Sequence, residues 1–401
     1  MLGLFAADIA RPRIPRLPAC GACGLWKGCQ SPKMPVSGKG ERKILIVGEA
    51  PGKEEDREGI PWVGASGKLL EKTLLKFGVV MRRDCWLTNA AICRPEKNQL
   101  PEEAVNHCRP NVVKAVKKLQ PEIIIPLGAA AVKSVLGWLW RDDVGSISRW
   151  DGSRIPVRSI NSWVCPTWHP AALLHTDYGV SQRENEVRQL FFERHLKATC
   201  KLSGRPWPNG PVDPASKVQV VLDTDAVASI LRGMTEAGKS VALDYETNML
   251  KPDSDRAEIV SCAVSDGETT IAYPWHGAAV KATGRLLRSG VGLIASNMKF
   301  EQRWSIKAFG VPGTWVWDTM LAAHILDCRR EVSGLKFQAF ATLGVDAWDE
   351  GVSSFLRAKW PNEPNRIREA PLTKLLLYNG LDALLEWELA QVQAARFKVT
   401  L

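Results

Sequence analysis

Short apolar runs alternate with amphipathic stretches along the first half of the chain. KILIVGEA (43–50) and PEIIIPLG (121–128) are nearly continuous apolar segments. A strand covered by helices on both faces has this composition. GKLLEKTLLKFG (67–78) and EEAVNHCRPNVVKAVKKL (102–119) instead place apolar residues at helical spacing. The alternation predicts an α/β fold built on a parallel sheet. Residues 205–216, RPWPNGPVDPAS, hold four prolines, which neither a helix nor a central strand tolerates. A linker is expected there, between domains at 1–204 and 217–401. Beyond it VQVVL, SVALDYE, IVSCAVS and TTIAYP read as strands, and the pattern from Phe300 onward is mostly helical. That order predicts a mixed sheet with helices packed against it.

Length supports two domains, because 401 residues exceed the roughly 250 to 300 at which single cores stop growing. Hydrophobic residues at 45% and charged residues at 24% are the proportions of a globular protein and exclude a disordered chain. The net charge of +10 is unevenly spread: residues 1–210 carry 32 Lys and Arg against 20 Asp and Glu, and residues 211–401 carry 21 against 23. A basic first domain suits a polyphosphate partner, or is merely a soluble surface. No apolar run reaches the roughly 18 residues of a membrane span, and the start is too short in apolar residues for a secretory signal, so a cytoplasmic site is expected. Ten cysteines in such a compartment point to a metal centre where they cluster and to core where they are scattered. Cys85, Cys165 and Cys200 belong to the second group.

Cys20 and Cys23 form a CxxC in a loop rich in Pro and Gly, and Cys93 and Cys108 complete a four-thiol set around RPEKNQLPEEAVNH, whose Pro and Asn residues bend the chain back. An iron–sulfur cluster, a zinc ion, or a set using Cys29 all satisfy this spacing. Glu49 follows KILIV directly, at the carboxyl end of a parallel strand where open α/β sheets place ligands. The neighbouring glycines allow close backbone approach. Glu54, Glu55 and Asp56 read as a solvated charge run. GEAPG, GIPWVGASG, LTNAAICRPEKN and TWHPAALL, in that order with the four cysteines, resemble the family 4 uracil-DNA glycosylases over about residues 17–200. The resemblance implies an αβα sandwich with a parallel sheet and a 4Fe-4S cluster on Cys20, Cys23, Cys93 and Cys108. It implies a uracil pocket of Gly48, Ala50, Trp62 and Asn89, with Trp62 where the family usually has Phe. It further implies Glu49 and His169 as catalytic groups, acting on uracil in single- or double-stranded DNA.

In SVALDYETN the two-residue strand period turns Asp244 and Glu246 to one face. In YNGLD the four-residue helical period does the same for Tyr378 and Asp382. With SNMKFEQRW and VWDTMLAAHIL between them, these segments resemble the DEDD 3′-5′ exonucleases of family A DNA polymerases over about residues 218–395. That resemblance implies a ribonuclease H-like domain with a mixed sheet and two Mg²⁺ or Mn²⁺ ions on Asp244, Glu246 and Asp382. Tyr378 would orient water at a 3′ end. Glu301 stands where the family has Asp, and Asp318 is the other candidate for the fourth acidic position. Asn297 positions the motif or the terminal nucleotide. The 401 residues leave no length for a polymerase domain, so the reading expects a separate DNA polymerase as partner, as in a bacteriophage genome.

The main reading is an enzyme that excises uracil and removes 3′-terminal nucleotides. The alternative is a DNA-binding accessory protein whose first domain senses uracil without cutting and whose second proofreads for that polymerase. A subclass that links covalently to DNA through a loop histidine is disfavoured, because LGWLWRDDVGSISRWDG (136–152) contains none.

Overall fold

A computed structural model of the chain describes residues 22–174, 182–360 and 363–401. Two compact units meet in sequence at Pro211 and Val212. Arg205 and Trp207, at the start of the segment read as linker, are docked on the first unit. The Arg205 guanidinium donates to the carbonyls of Asn161 and Gln120 at 2.9 Å each, and the Trp207 indole N–H donates to the Pro156 carbonyl at 3.0 Å.

The first unit is built on five strands, β1 (Ile44–Gly48), β2 (Cys85–Asn89), β3 (Ile123–Pro126), β4 (Ile155–Val157) and β5 (Ser162–Val164), in the order β2-β1-β3-β5-β4. All pairs are parallel except β4 with β5, so the expected parallel sheet has one antiparallel edge. Every residue of β1 is buried, as expected for a strand with layers on both faces. Leu70 and Leu74 from the helix Ala65–Leu75 and Phe192 and Leu196 from the helix Gln182–Cys200 pack with Ile44 and Ile46 in one core, which also takes in Cys85, Cys165 and Cys200. Gly48 pairs with Asn89 at the carboxyl ends of β1 and β2, and the chain continues the ladder with the Ala91 N–H donating to the Glu49 carbonyl at 2.9 Å.

The second unit has six strands, β6 (Val218–Val220), β7 (Val241–Thr247), β8 (Ile259–Ser265), β9 (Thr270–Pro274), β10 (Gly292–Ala295) and β11 (Thr314–Asp318), in the order β11-β10-β7-β8-β9-β6. β7 pairs antiparallel with β8 and parallel with β10, which makes the sheet mixed. β11 lies within the stretch expected to be mostly helical; it is an edge strand, and its TWVWD sequence owes its conformation to parallel pairing with β10. The long helix Leu372–Phe397 crosses this sheet. It comes close because residue 380 is glycine: a Cβ there would stand 2.3 Å from Val218. Among the described residues no helix is long and apolar enough to cross a membrane.

Candidate functional site

Three parts of the first unit converge at the carboxyl end of β1. A Cβ on Gly48 would lie 2.4 Å from the Trp62 ring and 2.5 Å from Asn89 Oδ1, so glycine is what lets those two side chains close over the strand end. Trp62 is buried, holds a left-handed backbone at φ 64°, and stacks on the His169 ring with centroids 5.4 Å apart. Burial pushes the His169 imidazole down to about 4, which leaves it neutral at neutral pH. The Ala171 N–H donates to its Nδ1 at 3.2 Å. Nδ1 is therefore the acceptor and Nε2 carries the hydrogen. Half-buried Glu49 follows Gly48, and burial raises its carboxyl above the ordinary range; Ala50 beside it is also half-buried.

The acidic run after this loop is not simply solvated. Glu55 accepts the N–H of Gly52 at 3.1 Å and of Gly64 at 2.7 Å, joining the two glycine loops. Asp56 is buried and accepts the N–H groups of Gln30 and Ser31. Glu54 alone keeps the role the sequence suggested, being exposed. Spacing carried one clue: Glu55 stands at the third position after Gly52 at a helix start, where a carboxylate reaches back to free N–H groups.

Cys20 lies outside the described residues. Cys23 and Cys29 are partly exposed, whereas Cys93 and Cys108 are buried. Cys108 is carried by the helix Glu102–Leu119, as the helical spacing of that stretch predicts, and Pro110 is accommodated inside it. Burial pushes the Cys93 thiol up to about 11, and Cys29, Cys108 and Cys23 all act on it electrostatically. The Lys33 N–H donates to Cys93 Sγ at 3.2 Å and the Asn111 amide to Cys108 Sγ at 3.9 Å. Such donors favour thiolate, the form that ligates iron.

In the second unit Asp244, Glu246 and Asp382 bring one carboxylate oxygen each within 4.8 Å of the others. Burial, then neighbouring carboxylates, raise Asp244 and Glu246; burial pushes Asp382 up to about 7. Like charges gathered out of water in this way call for a cation. The Asn379 amide donates to Asp244 Oδ2 at 2.6 Å and accepts from Ser261 at 2.8 Å, and the Trp348 indole donates to Asp382 Oδ1 at 2.9 Å. The Tyr378 hydroxyl donates to the Asp382 carboxylate, and burial raises its phenol, keeping it protonated. Glu301 is 2% exposed, and Asp244 is the strongest charge acting on it. Asp318 is occupied otherwise: it accepts the N–H groups of Asn297, Met298, Met320 and Leu321. Asn297 thus enters through its backbone, at φ 71°. A cavity of about 550 Å³ opens beside Glu246, lined among others by Phe300, Arg357, Lys359 and Trp360. Asn379 and this cavity were missed from sequence; the asparagine stands between the two motif residues of YNGLD without a spacing signal of its own.

Residues 35–193 match the family described as the Uracil DNA glycosylase superfamily. A Type-4 uracil-DNA glycosylase of Saccharolobus solfataricus is 33% identical over 190 residues, covering 47% of this chain and 83% of that protein. One from Pyrobaculum aerophilum is 37% identical over 162 residues, covering 39% and 79%. The chain belongs to the Type-4 uracil-DNA glycosylase family. This Type-4 glycosylase carries a second domain, since residues 218–392 match the family described as 3′-5′ exonuclease. Among solved structures, RNase D of Trypanosoma brucei is 18% identical, covering 45% of this chain and 65% of that one at a TM-score of 0.36. Type-4 membership implies an iron–sulfur centre and the exonuclease domain implies divalent metal. The donor sets fit both: sulfur with N–H donors in the first unit, clustered hard oxygen in the second.

Proposed function

We propose that the first unit excises uracil from DNA by hydrolysing its N-glycosidic bond, and that the second removes 3′-terminal nucleotides. The observation that carries the first part is the closure of Trp62 and Asn89 over Gly48 at the carboxyl end of β1, with neutral His169 stacked on Trp62. Uracil stacked in DNA is out of reach, so the nucleotide flips out of the helix to reach these residues. The Asn89 amide can donate to O4 and accept from N3–H at once. The Nε2–H of His169 points its donor at O2 as the departing base gains negative charge. Glu49, on the strand end beneath, positions water or offsets the positive charge of the sugar. The Trp62 indole stacks on the face of the His169 ring, which leaves Nε2–H, lying in the ring plane, free of the stacked face.

For the second unit, Asp244, Glu246 and Asp382 hold divalent cations, Mg²⁺ or Mn²⁺. When bound, such ions activate water and stabilise the leaving 3′ oxygen. Asn379 and Trp348 fix the carboxylates in position, and Tyr378 orients water through its hydroxyl. The cavity with Phe300, Trp360, Arg357 and Lys359 takes the terminal nucleotide, offering ring faces to a base and cations to its phosphates. In the first unit Cys20, Cys23, Cys93 and Cys108 hold a 4Fe-4S cluster with a structural or DNA-positioning role, since glycosidic cleavage moves no electron.

The test is one oligonucleotide with a single uracil, offered single- and double-stranded. Incubation in EDTA followed by alkali should break the strand at uracil, and incubation with Mg²⁺ or Mn²⁺ should shorten it from its 3′ end. Binding at uracil without breakage in EDTA would favour the sensing protein over the enzyme.

A further inference from the structure

Between the end of β5 at Val164 and His169 the chain stays paired with the end of β3. The Thr167 N–H donates to the Pro126 carbonyl at 3.1 Å, and the Gly128 N–H donates to the Thr167 carbonyl at 2.9 Å. On the other side the Gly152 N–H donates to the Pro166 carbonyl at 3.0 Å. Gly128 holds φ 84°, and a Cβ there would stand 2.8 Å from Cβ of His169, so the histidine is braced against that backbone. Thr167 is buried, and its hydroxyl lies 3.3 Å from Nδ1 of His195 on the helix Gln182–Cys200. Asp151 Oδ1 stands 3.2 Å from the same nitrogen. A carboxylate only accepts, so Nδ1 carries the hydrogen and the Thr167 oxygen shares it. The far edge of the ring lies on Gly152, where at φ 76° a Cβ would meet Nε2 at 2.5 Å, and the Phe191 ring packs 5.9 Å away between centroids. The His195 and Asp151 side chains, 18% and 13% exposed, are thus withdrawn from water for contacts that end on Thr167, two residues before His169.

We propose that His195, oriented by Asp151, is a positioning residue for His169. Through the Thr167 hydroxyl it holds the segment that leads out of β5, and with it the imidazole that donates to the departing base. The inference rests on the glycosylase reading above. A donor to developing charge has to be held within about 0.5 Å of its productive place, and a misplacement of about 1 Å costs on the order of 10²-fold in rate. His195 touches neither the pocket residues nor the base in this role; it acts only through the backbone that carries His169.

The test is single-turnover excision of uracil from an oligonucleotide by the full chain in EDTA, with protein in excess, so that the maximal rate and the half-saturating concentration are read separately. The melting transition of the first unit in the same samples reports that it is folded. Thr167→Val keeps the shape and removes the hydroxyl, and His195→Ala removes the support. Each should lower the maximal rate about tenfold and leave the half-saturating concentration unchanged. His195→Asn, whose amide N–H can stand in for Nδ1–H, should restore most of the rate. In a His169→Ala background His195→Ala should cost nothing further, because two residues that act through one contact are not additive. An unchanged maximal rate in Thr167→Val, equal losses in His195→Ala and His195→Asn, or a further tenfold loss on top of His169→Ala would each overturn the positioning role while leaving the glycosylase reading standing. Absence of excision by the unsubstituted chain would overturn that reading and this inference with it.

Discussion

A histidine that donates to a leaving base must keep its hydrogen on one nitrogen, and His169 is held that way by the Ala171 N–H on Nδ1 and by burial that keeps the ring neutral. His169→Ala should lower uracil excision by about 10² or more, the usual cost of removing a donor to developing charge. Digestion of 3′ ends by the same preparation should be unchanged; equal loss of both would point to misfolding. With the ring neutral down to about 4, kcat/KM for excision should show no step at the ordinary histidine value of 6.5. A step there in a pH–rate profile would refute the neutral donor. Stability follows the same shift: the unfolded chain takes up a proton at this residue below 6.5 and the folded chain not until about 4, so acidification across that window destabilises the fold.

At the scale of elements, Glu301 and Asp318, the two candidates for the fourth acidic position, are held differently. Asp318 ends β11 and caps the helix Thr319–Leu326 while gripping the backbone of Asn297 and Met298. Asp318→Ala should cost about 1 kcal/mol in a denaturation curve, as loss of a helix cap does. Glu301→Ala should abolish Mg²⁺-dependent digestion nearly as fully as Asp244→Ala if Glu301 supplies the fourth carboxylate. An active Glu301→Ala protein beside an inactive Asp318→Ala protein would reverse the assignment. Periodicity made much of this framework legible: β1 and β3 as apolar runs, Asp244 and Glu246 on one strand face, Tyr378 and Asp382 on one helix face. β11 was not, because it is a five-residue edge strand set between helical stretches, although its alternating Trp and Val residues favour extended backbone. Glu386 was not, because a glutamate in LLEWEL reads as a surface charge until the packing of the helix on β7 and β10 buries it. Glu55 and Asp56 were hidden for the opposite reason: they sit in a charged run whose partners are backbone N–H groups that sequence does not display.

At the scale of the whole molecule, the buried acidic centre ties the second unit's stability to pH. Burial pushes Asp382 up to about 7 from the ordinary 3.8. The folded state then keeps a proton that the unfolded state has released, so this contribution is complete below 3.8 and lost as pH rises through about 7. In chelator, melting of the second unit should fall in temperature between pH 4 and pH 8, and Mn²⁺ should raise it more at pH 8 than at pH 5. Calorimetry can follow this with the first unit's transition as internal reference; no response to Mn²⁺ at pH 8 would show that the carboxylates do not hold it.

Glu55 draws two glycine loops onto one carboxylate before any substrate arrives. Glycine loops lose more backbone freedom on ordering than other segments. Here that entropy is surrendered when the chain folds, and the encounter with a flipped nucleotide does not have to supply it. Under the function proposed above, binding energy from Asn89 and His169 can therefore go into discriminating one base from another, with little spent on ordering the glycine loops beside them.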